Sequence, residues 1–183
     1  MKEVQKVQRE YWSNGEIKIE RYLINRKLHR LNGPAFIEYY KNGKVNRGKY
    51  CINDKCHRED GPAFIRYYEN GQKEFENYYQ NNKPHRENGP ASIWYHVNGT
   101  IRVEEYFING GRHNEDGPAY IRYYENGKIE NEEYYQNDKL HRENGSAIIW
   151  YYENGKIHSE RYWLNGIECD ILQEMVIRGL KIK

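Results

Sequence analysis

Apolar and polar positions alternate along this chain in short runs. Ala63-Phe64-Ile65-Arg66-Tyr67-Tyr68 is β-branched and aromatic, Glu69-Asn70-Gly71 is polar, and Gln72 to Gln80 is strand-like again. Alternation over about four to eight residues marks a half-buried strand. Asn-Gly between two such runs marks a hairpin, because both residues tolerate the positive φ that tight turns require. The same pattern returns along the chain with Asn14-Gly15, Asn42-Gly43, Asn70-Gly71, Asn98-Gly99, Asn126-Gly127 and Asn154-Gly155 in a fixed step of 28 residues. His29, His57, His85, His113 and His141 keep the same step, each opening H-x-x-x-G-P-A, or H-x-x-x-G-S-A at the last. Two landmarks in one phase establish a tandem repeat, and each unit is predicted to be one hairpin followed by an ordered connection. Gly-Pro punctuates that connection, since Pro removes a backbone donor and Gly opens conformations closed to other residues.

One parity of the first strand is constant, from Ala35/Ile37/Tyr39 to Ala147/Ile149/Tyr151, while the other varies. Because alternate residues point to opposite faces, the constant set is assigned to the packed face. The second strand carries its own constant tyrosine at 22, 50, 78, 106, 134 and 162. Its face depends on the turn: a two-residue loop sets Ala35 opposite Tyr50, and a three-residue loop with a Gly bulge shifts the pairing by one. A lone hairpin is marginal in water, so the units are expected to bury surface against their neighbours in a one-dimensional array. The fold class expected is all-β: an elongated array of tandem β-hairpin repeats over residues 1–169, with 1–28 a degenerate first unit. Residues 170–183 read as a cap and tail, with Asp170 as N-cap, Ile171, Leu172, Met175 and Val176 at helical spacing and Gly179 as the stop of a short helix over 170–179.

Composition refines this to a thin object. Only 37% of residues are apolar, too few for a deep core, yet 15% are aromatic, which a disordered chain would lack. The 29 basic and 27 acidic residues nearly cancel and are interspersed, so no global field draws the chain to nucleic acid or anionic membrane. Cys51, Cys56 and Cys169 are odd in number and do not follow the repeat, which argues against a secreted disulfide scaffold. With a charged start and no long apolar run, a soluble cytoplasmic protein is expected.

The five repeated histidines, several followed two residues later by Glu, raise the question of metal or catalysis. A catalytic centre is a single asymmetric constellation, so a feature copied into every unit reads first as a loop-fixing hydrogen bond and only second as an ion ladder. Cys51, Cys56 and His57 form the one cluster with ligand chemistry, and a substitution at a packing position accounts for it more simply than zinc. No phosphate loop, nucleophile elbow or metalloprotease motif is present. The chain is therefore expected to be no enzyme, with no catalytic residue, metal or cofactor. Units also resemble one another in alternation, and the variable first-strand position reads Arg66, Trp94, Arg122, Trp150. Duplication of a two-unit block accounts for this; the sharper reading is that one surface shows Trp and the other Arg. These four are the candidate binding residues, of types enriched in interface hot spots. The function expected is protein–protein interaction or scaffolding with an unknown protein partner. The alternatives are a carbohydrate, nucleic-acid or anionic-lipid array, or a homo-oligomer.

The run Tyr123-Tyr124-Glu125-Asn126-Gly127-Lys128, then Tyr134-Tyr135 and Asn137-Asp138-Lys139-Leu140-His141-Arg142, resembles the MORN repeat and its bacterial and viral variant form over residues 10 to 168. That resemblance implies hairpin arrays in elongated sheets, with scaffolding, protein partners and, in some members, membrane lipid. The longer connection His-Arg-x-x-Gly-Pro-Ala departs from the standard unit and looks like that of large DNA viruses infecting amoebae. The family's usual second-strand Gly is present only at Gly48.

Overall fold

The computed structural model describes residues 5–169, and within them every regular element is a β-strand. The helix expected over 170–179 lies outside the described residues. The main strands form one 14-stranded antiparallel sheet, ordered almost wholly as they occur in the chain. Lys73–Asn77, for example, pairs with Phe64–Tyr67 of its own unit on one side and with Ser92–Tyr95 of the next unit on the other. Neighbouring units are thus joined by backbone ladders as well as by side chains, which explains how hairpins too short to stand alone are stable.

The turn combines the two geometries open to the sequence. Gly71 N–H donates to the Tyr68 carbonyl and Tyr68 N–H to the Gln72 carbonyl, closing a three-residue loop with Gly71 at φ 94°. Asn70 Oδ1 accepts from the Gln72 amide and fixes the turn. A second bulge follows at once: Tyr67 pairs with Lys73 but Arg66 with Phe75, so that Glu74 is passed over. The loop shifts the register by one and the bulge shifts it back. Ala35, Ala63, Ala91, Ala119 and Ala147 therefore face constant tyrosines after all, as in Ala91, whose amide donates to Glu105 and whose carbonyl accepts from Tyr78. All five alanines are 0% exposed, and among the described residues no large side chain is fully enclosed, so the core is a thin line of Ala between Tyr rings.

The connection holds a second, smaller hairpin that the sequence pattern did not lead us to expect. Cys51–Ile52 pairs with Lys55–Cys56 around Asn53-Asp54, both at positive φ, and the other units repeat this ribbon. Each turn then docks on the ribbon before it: Asp54 N–H donates to Leu28, Asn82 to Cys56, Gly110 to Pro84, Asp138 to Arg112 and Gly166 to Leu140. Arg30, Arg58, Arg86 and Arg142 each bond the carbonyl four residues on and lie over the ring of Tyr22, Tyr50, Tyr78 or Tyr134, with guanidinium carbons 3.8–4.0 Å from the ring centres. Asn114 takes the arginine's place in one unit and keeps its bond to Pro118.

The repeated histidine fixes the loop, as its recurrence implied. His85 and His141 Nδ1 each accept from the backbone amide of an asparagine 24 residues on, Asn109 and Asn165, at 3.1 Å. His57 Nδ1 is buried with no partner among the described residues. His85→Ala is therefore expected to cost about 1 kcal/mol, the net worth of one such bond, and His57→Ala measurably less. Urea unfolding of the two variants checks this; equal losses would contradict it.

Candidate functional site

The four candidate residues lie in one transverse row on one face of the sheet. Directly paired positions share a face, and the pairing runs Arg47, Arg66, Phe75, Trp94, Val103, Arg122, Asn131, Trp150, Ser159 without a break. The expectation of Trp on one surface and Arg on the other is corrected here. All four sit on equivalent first-strand positions of the same parity, so a 28-residue step returns each to the same face, and Trp and Arg alternate along it.

Arg66 and Trp94 are held by their own neighbours. Trp94 packs on Phe75 with ring centres 4.2 Å apart, and Phe64 meets Phe75 edge-on at 5.6 Å. The guanidinium carbons of Arg66 and Arg102 both lie 5.7 Å from the Trp94 ring, and Arg66 is paired to Glu74 at 2.8 Å. The other end of the row is more open. Arg122 is exposed and bonds the Tyr120 hydroxyl at 3.0 and 2.9 Å, and half-buried Trp150 has Arg161 at 5.7 Å. Phe75, Val103 and Tyr120 belong to this face and were missed, because the first two enter only once the second-strand register is known.

The opposite face carries a ladder of carboxylates, buried at Glu20 and Glu76 and half-buried at Glu104 and Glu132. Tyr39 donates to Glu20 at 2.8 Å, and Tyr95, Tyr123 and Tyr151 donate to Glu76, Glu104 and Glu132 at 2.7 Å. Burial acts to raise the Glu20 carboxyl, but Arg9 at 2.8 Å and the Tyr39 hydroxyl outweigh it and hold it below the usual carboxylate range. Glu76, 4% exposed, is also paired with Lys73 at 2.6 Å.

No group of three or more His, Cys, Asp or Glu side chains gathers for a metal among the described residues. Cys51 and Cys56 are free thiols facing each other across their ribbon with sulfurs 4.0 Å apart. Their mutual hydrogen bond lowers Cys56 and, together with burial, raises Cys51.

Against this geometry, residues 63–87, 119–143 and 148–165 match the family described as MORN repeat variant. The matched segments are MORN-like repeats. The matched MORN-like segments include the first strands that carry Arg66, Arg122 and Trp150, and the first two begin 56 residues apart, two of the 28-residue units. A search of curated proteins gave no match.

Proposed function

We propose that this MORN-like array is a non-catalytic interaction or scaffolding module working inside the cell, which engages a protein partner through the row of Arg66, Trp94, Arg122 and Trp150. The observation that carries this reading is the row itself, in which planar cations and indoles alternate on one face of a long sheet. Trp and Arg combine large contact area with donors in fixed geometry, and such residues dominate interface energetics. Arg122 and Trp150, the less enclosed half of the row, are assigned the principal contacts. Arg66 and Trp94, packed on Phe75 and Glu74, stiffen the surface beside them.

Affinity capture from the native source, followed by mass spectrometry, tests the reading with three proteins: wild type, Arg122→Glu and Trp150→Ala. Each substitution is expected to weaken the captured complex by about 2 kcal/mol, roughly thirtyfold, while circular dichroism and the unfolding midpoint stay near wild type. Capture of the same partners at undiminished yield by both variants would refute the assignment.

A further inference from the structure

The carboxylate ladder is broken at one rung. Glu20, Glu76, Glu104 and Glu132 each accept a tyrosine hydroxyl from 19 residues on. At the equivalent place in the second unit stands Gly48, directly paired with Ile65, and the tyrosine the repeat brings there is Tyr67. The Tyr67 hydroxyl makes no hydrogen bond among the described residues, although the Tyr67 carbonyl accepts from Tyr40. Burial raises its pKa, and of the charges that act on it Lys73 and Arg58 are positive while Glu76, to which Lys73 is paired, is negative.

An open cavity of about 520 Å³ occupies the place of the missing side chain, within the roughly 300–1,000 Å³ typical of small-molecule sites. Gly48, Ile37, Ile65, Tyr50 and Tyr67 line it, with Lys44 among the surrounding residues. The backbone does not demand glycine there: Gly48 is absent from the positive-φ residues, and a Cβ would meet Pro34 at 3.5 Å, an ordinary contact. What glycine provides is space, bounded by aliphatic side chains and by a phenol whose sister groups all bond carboxylates.

We propose that this cavity binds a small monocarboxylic acid with an apolar body. Its carboxylate takes the place of the absent glutamate and accepts from the Tyr67 hydroxyl, with Lys44 on the cavity wall. Its hydrocarbon part lies over Gly48 between Ile37 and Ile65. The site is on the face opposite the Arg/Trp row, so it stands or falls independently of the partner surface proposed above.

Titration of the full chain with hexanoate and phenylacetate, followed by calorimetry and by NMR shifts of the Ile37 and Ile65 methyls, tests it, with hexanol as the uncharged control. Saturable binding of an acid in the millimolar range or tighter, at least tenfold stronger than hexanol, is expected. Tyr67→Phe should weaken the acid by roughly tenfold or more, the loss of a hydrogen bond to a charged group. Gly48→Glu should abolish binding and raise the unfolding midpoint, because the side chain supplies the missing rung. Equal binding of hexanol, undiminished binding to Tyr67→Phe, or no binding of either acid would overturn the proposal. The last outcome includes the case in which the cavity serves an acidic side chain of a protein partner.

Discussion

Ala91→Leu is expected to destabilise the array by about 3 kcal/mol, the upper end of what overpacking a closed site costs. Ala91 is 0% exposed and lies in the ladder between Tyr78, which donates to its carbonyl, and the strand of Glu105, which accepts from its amide. Arg86 lies over the Tyr78 ring with its guanidinium carbon 4.0 Å from the ring centre, so the tyrosine cannot swing away without losing that contact and exposing the Pro90 carbonyl that Arg86 bonds. A branched side chain must therefore push neighbouring units apart. Ala91→Gly, which opens no clash, should cost only about 0.5–1 kcal/mol through backbone entropy. Urea unfolding monitored by circular dichroism gives both numbers. A leucine variant as stable as wild type would show that the line of alanines is not closed.

Alkali is expected to dissolve the fold cooperatively, through the tyrosines that face carboxylates. Burial first, and then the hydrogen bond and charge of Glu20 or Glu133, push Tyr39 and Tyr135 up to about 12. Tyr95, Tyr123 and Tyr151 are raised by the same causes. An unfolded tyrosine ionises near 10, so between about pH 10 and 12 the folded chain holds protons that the unfolded chain has released. The stabilisation is therefore complete below about pH 10 and is lost as the pH rises towards the folded values. The ladder tyrosines' share of phenolate absorbance should rise in step with loss of the β signal, since ionising a ladder tyrosine sets two anions against each other. Ionisation of Tyr39, Tyr95, Tyr123 or Tyr151 near pH 10 with the sheet intact would contradict the ladder.

Much of this architecture was legible in the residues because hairpins advertise themselves locally. The period of two in Ala63, Ile65 and Tyr67 marked the packed face, and Asn70-Gly71 marked the turn. The second-strand register was not legible. It depends on a loop and a bulge that cancel, and the passed-over residues, Lys18, Asn46, Glu74, Arg102, Glu130 and His158, are all polar, so they resemble any solvated position. The small ribbon could have been found from Asn53-Asp54 and Asn109-Gly110, dipeptides suited to two-residue turns. The bonds from Tyr to Glu and from His to Asn join residues 19 and 24 apart in the chain, and only a folded register reveals that such distant groups meet.

Of the candidate site, the row's first-strand members came from the sequence because they share one phase. That Phe75 and Val103 share their face followed from the pairing alone. The MORN-like segments fix the kind of unit but not its chemistry, since a shared fold does not carry a shared site.

Consecutive strands being lateral neighbours has a mechanical consequence. A load applied across the two outermost strands opens ladders in succession instead of shearing them all at once, so resistance is set by the weakest seam. Four-residue first strands such as Phe64–Tyr67 make each seam short. Under tension the molecule would behave as a zipper, yielding in steps the size of one unit and closing again in the same order.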